Sequence, residues 1–258
     1  MKLSANLGLL WSELPLLDRV YKAKEKNFDA IEFQFPYEVN ANELKKAIDK
    51  INLPIIGINT IKGDVSKGDN GLNAVPSKVR EARSAIDQAI EYARVIGAKN
   101  IHCMCGTTEQ NNNSLKTLVE NLQYAASQLN DSSIGLVIEP KNQNDFPGYF
   151  LTNVEQAKEI CQLVGYNNVK IMFDFYHVQI SQGNVLTRFK DNFSYIGHVQ
   201  MASVPERNEP IFGELDYSNI LSEIYNFGYQ GYVGAEYNPL TNTDDGLSWM
   251  KNINREDK

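Results

Sequence analysis

The sequence lacks the long apolar runs and paired cysteines that mark membrane and secreted proteins. No stretch approaches ~18 consecutive apolar residues, so a transmembrane helix and a membrane partner are not expected. Its three cysteines form no CxxC motif, and an odd number of them argues against a disulfide framework. The first fifteen residues contain no convincing signal-peptide core or cleavage site. These absences lead us to expect a cytoplasmic protein.

Clusters of basic residues are also missing. The chain has 25 basic and 32 acidic residues, which gives a net charge of −7 and a pI near 5.1. Proteins that bind nucleic acids neutralise phosphates with clustered Lys and Arg side chains. We therefore expect no nucleic-acid partner and look instead for a small-molecule substrate.

Eight short apolar or β-branched runs alternate with longer amphipathic stretches. The runs cover residues 2–7, 30–35, 54–60, 100–106, 135–140, 169–177, 195–203 and 231–237. Strand–helix alternation repeated eight times in 258 residues predicts a single (β/α)8 TIM barrel, a fold of about 250 residues. No linker divides the chain, so we expect one domain over residues 1–258. A doubly wound sheet is the alternative fold, but the first strand lacks the Gly-rich turn typical of it.

Polar residues recur near the ends of these predicted strands. They are Asn6, Glu32, Gln34, Asn59, His102, Glu139, Asp174, Gln200 and Glu236. A barrel interior is mostly filled by aliphatic side chains, so charged groups belong in its top layer, where they need partners or a metal. The two longest loops, 61–76 and 204–215, also follow strands and should lie at the same face.

Four of these polar residues, which together form a polar ring at the strand ends, lie on the last four predicted strands. Glu139, Asp174, Gln200 and Glu236 are separated by 35, 26 and 36 residues, each about one strand–helix unit. Three converging carboxylates would repel one another unless a cation lay among them. An oxygen-only set suits a hard divalent ion, so the pattern favours Mg²⁺ or Mn²⁺ over four separate structural residues.

Six sequence blocks resemble one family. They are "SANL" (4–7), "EFQFPY" (32–37), "IEPKN" (138–142), "FDFYHVQ" (173–179), "IGHVQMA" (196–202) and "AEYNP" (235–239). Their order and spacing are similar to those of the hydroxypyruvate isomerase family, one of the xylose isomerase-like TIM-barrel sugar isomerases and epimerases. The resemblance extends from residue 3 to residue 250, nearly the whole chain.

The resemblance implies both a reaction and a site. The reaction would interconvert hydroxypyruvate and tartronate semialdehyde, by proton transfer between adjacent carbons through an enediolate. Glu139, Asp174, Gln200 and Glu236 would bind the metal ion, and Glu139 and Glu236 would also act as the acid/base pair. A hydride shift at the same site is an open alternative.

Three further residues are candidates for substrate binding. The resemblance to the epimerases favours His177 as a contact to a substrate oxygen. The planar guanidinium of Arg207 matches a carboxylate, although a solvated loop charge is an equal alternative. Lys141, where the family more often has an apolar residue, could polarise a carbonyl or neutralise the acidic ring. His102 and His198 are interpreted as interior histidines.

Other functions stay open at the level of sequence. The loop "ASVPERNEPIFGE" (202–214) departs from the family pattern, so a 2-oxo-tetronate isomerase is the nearest rival. A ketose 3-epimerase would usually have histidine in place of Gln200. A barrel endonuclease would need more than three histidines and a basic face. A non-catalytic sugar-acid binding protein would be expected to have lost one of the two glutamates. A homodimer is open as well, because no interface is readable.

Overall fold

The structure is a closed barrel of eight parallel strands. This computed structural model describes residues 1–253. Neighbouring strands pair in sequence order and β1 pairs with β8, which confirms the expected TIM barrel. The strands span Lys2–Asn6 (β1), Ala30–Glu32 (β2), Ile55–Asn59 (β3), Ala98–His102 (β4), Gly135–Ile138 (β5), Val169–Asp174 (β6), Ile196–Met201 (β7) and Tyr232–Ala235 (β8).

Helices connect the strands around the outside of the barrel. They span Leu16–Glu25 (α1), Ala41–Ile51 (α2), Val79–Ile96 (α3), Asn112–Gln128 (α4), Val154–Val164 (α5), Phe175–Ser181 (α6), Val185–Asn192 (α7), Tyr217–Phe227 (α8) and Thr243–Gly246 (α9). Helix α8 illustrates how capping residues in the sequence determine where a helix begins and ends. The carboxylate of Asp216 accepts the amides of Ser218 and Asn219, and Gly228 ends the helix with a φ of 115°.

The two faces of each strand have different neighbours. In β1, Leu3 and Ala5 join the apolar core between the strands and the helices. Ser4 and Asn6 alternate with them, and the amide of Asn6 donates to Glu32 at the end of β2, 3.1 Å away. Glu32 in turn contacts β7, so a polar layer crosses the barrel interior beneath its carboxyl-terminal face.

The sixth strand is shorter than the sequence pattern indicated. The run 169–177 was expected to be one strand, but β6 ends at Asp174, whose carboxylate accepts the amide of Tyr176 at 2.9 Å and begins α6. His177 therefore lies one helical turn beyond Asp174 and not on a strand. Phe175 is buried within this helix.

The two long loops follow β3 and β7 and lie at the carboxyl-terminal face, as predicted. The loop 61–76 is attached to the segment after β4 through Gly71. This glycine has a φ of 112°, and a Cβ atom there would come within 2.7 Å of the carbonyl oxygen of Met104. Its amide donates to the carbonyl of Lys62 at 2.9 Å, which fixes the beginning of the loop over the barrel mouth.

Candidate active site

Four polar side chains lie buried at the carboxyl-terminal ends of consecutive strands. Glu139 directly follows β5, Asp174 ends β6, Gln200 is in β7 and Glu236 directly follows β8. Their exposed fractions lie between 1% and 6%. Asp174 and Gln200 are register partners in the β6–β7 pair, so their side chains leave adjacent strands at the same height. The structure thus brings the four predicted residues to one face, with three carboxylates among them.

Glu139 is surrounded by nitrogen atoms. The ammonium of Lys141 lies 2.9 Å from Oε2, and His102 Nδ1 lies 3.7 Å from the same oxygen. Burial alone would raise the pKa of Glu139, but the charge of Lys141 opposes this effect, and the pKa is lowered to about 2. Glu139 is therefore ionised at neutral pH, and Lys141 compensates its charge in the barrel.

A guanidinium lies between the other two carboxylates. Arg207 Nη2 is 3.7 Å from Asp174 Oδ2 and 3.4 Å from Glu236 Oε1. The amide of Gln34 also donates to Glu236 Oε1, at 2.9 Å. Burial raises the pKa of Glu236 to about 7 and that of Asp174 well above its usual value, with Arg207 opposing both shifts. These two groups therefore hold their negative charge far less readily than Glu139.

His177 is a buried and neutral ring. Burial and then the charge of Arg207 lower the pKa of His177 well below its usual value. The backbone amide of Asn142 donates to Nδ1 at 3.4 Å, so Nδ1 accepts and Nε2 is the protonated nitrogen. Nε2 lies 3.6 Å from Glu139 Oε1 and 3.8 Å from Asp174 Oδ2. A protonated nitrogen cannot bind a metal ion, so this geometry favours a hydrogen bond to a substrate oxygen.

Glu32 orients Gln200. The Gln200 amide nitrogen donates to Glu32 Oε1 at 2.8 Å, and His198 Nε2 lies 2.8 Å from Glu32 Oε2. With the nitrogen engaged, the amide oxygen of Gln200 is left without a hydrogen-bond partner in the part of the chain that the structure describes. His198 is thus a satisfied interior histidine, as expected. His102 is also an interior histidine, but neither of its ring nitrogens has a hydrogen-bond partner among residues 1–253.

The donor atoms at this site match a divalent cation. At this site, three buried side-chain oxygens have no hydrogen-bond partner among residues 1–253: Glu139 Oε1, Asp174 Oδ2 and Gln200 Oε1. One carboxylate oxygen of Glu139 and one of Asp174 lie within 4.8 Å of each other, beside the His177 ring. Buried polar atoms are normally paired, and oxygen-only donors are what Mg²⁺ and Mn²⁺ prefer. Glu236 is outside this compact group, separated from Asp174 by Arg207.

Two features of the site were missed from the sequence. Lys62, in the loop after β3, is half-buried near the site, and its charge interacts with those of Lys141 and Glu236. Gln34 was placed in the polar ring but was given no role, and it contacts Glu236. No signal in the sequence around Lys62 indicates that its side chain is half-buried.

A closed parallel barrel with buried carboxylates at the carboxyl ends of its strands defines the class of TIM-barrel enzymes. The family described as Xylose isomerase-like TIM barrel matches residues 20–253 of this chain. The chain belongs to this family, which confirms the resemblance seen in the sequence blocks. No helix within the described residues is long and apolar enough to cross a membrane.

Curated relatives extend over nearly the whole chain. A 2-oxo-tetronate isomerase from Cupriavidus necator is 40% identical over 253 residues, covering 97% of each chain. Hydroxypyruvate isomerase from Escherichia coli is 40% identical over 256 residues, covering 97% of this chain and 98% of its own. A structure from Brucella melitensis, described as an AP endonuclease of family 2, has a TM-score of 0.94 and 35% identity, covering 97% of this chain and 98% of its own. The two curated relatives are isomerases.

Proposed function

We propose that this protein is an isomerase of small sugar acids, interconverting hydroxypyruvate and tartronate semialdehyde by proton transfer between adjacent carbons. The observation that carries the proposal is the pair Glu139 and Glu236. Both are buried, they follow strands β5 and β8, and buried oxygens without partners lie beside them. A proton moved between two carbons needs a base and an acid on either side of the substrate, and two carboxylates from separate strands meet that need.

The site would bind a divalent metal ion. Glu139, Asp174, Gln200 and Glu236 would bind it through oxygen, with Glu32 holding the amide oxygen of Gln200 toward it. When bound, Mg²⁺ or Mn²⁺ would supply positive charge opposite the two oxygens on which negative charge develops. The three carboxylates would then be compensated, which Arg207 and Lys141 achieve only in part.

The side chains around the carboxylates would orient the substrate. His177 would donate from Nε2 to a substrate oxygen, because its other nitrogen is engaged by Asn142. Arg207 would bind the substrate carboxylate through its planar guanidinium, whose Nε has no hydrogen-bond partner in the described part of the chain. Lys141 would contact a substrate oxygen beside Glu139 and would keep that carboxylate ionised as a base.

The substrate and route can be tested together by proton NMR in D₂O. Hydroxypyruvate and 2-oxo-tetronate are offered separately, with Mg²⁺, with Mn²⁺ or with EDTA. We expect metal-dependent conversion of hydroxypyruvate, with deuterium at the carbon that gains a proton. Conversion of 2-oxo-tetronate alone would identify the rival substrate. Conversion without deuterium would favour a hydride shift, and no conversion of either would contradict the proposal.

Functions of other classes have less support. A nuclease would need a cationic face for phosphates, whereas this chain has a net charge of −7 and three histidines. A ketose 3-epimerase is disfavoured by Gln200 at the position of a histidine. A sugar-acid binding protein without catalysis needs no acid/base pair, yet both glutamates are present and buried.

Replacing Glu32 with Gln should weaken metal binding without removing a ligand. The new amide could donate to the Gln200 oxygen and turn that oxygen away from the site. Loss of such an orienting partner typically weakens metal affinity by 10–100-fold, so we expect a Kd for Mn²⁺ about 10–100-fold higher by titration calorimetry. Glu32→Asp, which retains a carboxylate, should recover part of that loss. Unchanged affinity in Glu32→Gln would mean that Gln200 is not a ligand.

A further inference from the structure

One cation near the site, Lys62, has no carboxylate partner in the part of the chain that the structure describes. Lys62 lies in the loop after β3, half-buried, with its ammonium 5.2 Å from the centre of the Phe35 ring. Within residues 1–253, no carboxylate oxygen forms an ion pair with it at 4 Å or less. The hydrogen bond from the Gly71 amide to the Lys62 carbonyl keeps the backbone of Lys62 at the barrel mouth. This half-buried ammonium lies over an aromatic ring and has no ion pair, so an anionic ligand could form one with it.

The electrostatic surroundings of Lys62 indicate where that ligand would lie. Burial lowers the pKa of Lys62, repulsion by Lys141 lowers it further, and attraction by Glu236 opposes the shift. The ammonium groups of Lys62 and Lys141 therefore share one region of the site. Lys141 itself lies 4.5 Å from the centre of the Phe146 ring and 2.9 Å from Glu139. Among residues 1–253, Glu139 is the one carboxylate in direct contact with either of these two lysines.

Lys62 and Arg207 lie on opposite sides of the barrel. Lys62 follows β3 and Arg207 follows β7, and these strands are four positions apart in a closed ring of eight. The buried carboxylates and the unpartnered oxygens lie between the two sides. A substrate bound at these oxygens would thus have a cation near each end. Hydroxypyruvate has one anionic group and would leave one of these cations without a partner.

We propose that Lys62, with Lys141 beside it, forms a second anion-binding subsite opposite Arg207. Its ligand is a phosphate or a second carboxylate at the far end of the substrate. The site would therefore also take sugar acids with two anionic groups, one bound by Arg207 and the other by the two lysines. This inference rests on the proposed function for the position of the first carboxylate, and it extends the substrates of that function beyond hydroxypyruvate.

Binding of unreactive analogues tests the subsite independently of turnover. D-Glycerate, 3-phosphoglycerate and tartrate have no carbonyl group and cannot isomerise, and each is titrated calorimetrically into the full chain with Mn²⁺. We expect 3-phosphoglycerate or tartrate to bind about tenfold or more tightly than glycerate, because a charge-assisted contact is among the stronger polar interactions. Tighter binding of 3-phosphoglycerate than of tartrate would identify phosphate as the ligand, and the reverse order would identify a carboxylate. Equal affinities for all three compounds would overturn the proposal.

Substitution of Lys62 separates the subsite from direct binding of phosphate to the metal ion. In Lys62→Met, the ratio of the dianion affinity to the glycerate affinity should fall close to one. Lys67→Met is the matched control, since Lys67 lies in the same loop, is exposed and pairs with Asp64. It should retain the wild-type ratio. A ratio unchanged in Lys62→Met would overturn the proposal. If the affinity ratio depends on Lys62 but the protein shows no isomerase turnover, the proposed reaction is wrong and the proposed anion-binding subsite still holds.

Discussion

Replacing Glu236 with Gln is expected to reduce turnover by about 10²–10⁴-fold, the usual contribution of a general acid or base. The amide can neither accept nor return the proton that the reaction moves between adjacent carbons. The fold should not change, because the amide oxygen can still accept from Gln34, as Glu236 Oε1 does at 2.9 Å. The measurement is the rate of hydroxypyruvate conversion by NMR, with Mn²⁺ well above its Kd. Glu139→Gln should cause a loss of similar size.

The control for this prediction is Glu206→Gln. Glu206 is an exposed glutamate in the loop after β7, so the same chemical change is made near the barrel mouth but outside the buried cluster. It should turn over at the wild-type rate. Wild-type turnover by Glu236→Gln would instead show that the acid/base pair is misassigned. Loss of Mn²⁺ binding together with turnover would show that Glu236 acts mainly as a ligand.

The strand ends were predictable from sequence because a parallel barrel repeats one pattern eight times. A short apolar run ending in a polar residue places that residue at the carboxyl-terminal face, whichever strand it follows. Glu139, Asp174, Gln200 and Glu236 could thus be assigned to one face without knowledge of distances. The end of β6 was misplaced because the apolar residues after Asp174 suit a strand, while the cap formed by Asp174 is a local contact that overrides this preference.

The partners within the site were less predictable, because they depend on contacts between loops. Arg207 was a candidate for binding a substrate carboxylate, with a solvated loop charge as the equal alternative. The sequence did not indicate that its guanidinium contacts Asp174 and Glu236, which come from different strands. Lys62 was missed because a lysine in a long polar loop is usually solvated. Its ammonium lies 5.2 Å from the centre of the Phe35 ring, and nothing in the local sequence around Lys62 indicates that contact.

Asp174→Asn is expected to abolish turnover and also the increase in the free energy of unfolding that a bound metal ion gives. In the wild-type protein, Mn²⁺ at about 100 times its Kd should add ~2.7 kcal/mol to the free energy of unfolding, which corresponds to a rise in Tm of about 5–10 °C. The variant should show almost no rise, because it has lost a charged ligand. Asparagine can still accept the amide of Tyr176, so α6 should begin at the same residue.

The same variant should be more stable than wild type in EDTA, and this difference should depend on pH. The pKa of Asp174 is higher in the folded protein than in the unfolded chain, chiefly because of burial. Its contribution to stability is therefore complete below the unfolded pKa and is lost as the pH rises through the folded pKa. Asn cannot ionise, so its advantage in Tm should be larger at pH 7.5 than at pH 5. Asp216→Asn, which changes the exposed cap of α8, should show neither effect. A full Mn²⁺ response in Asp174→Asn would exclude Asp174 as a ligand.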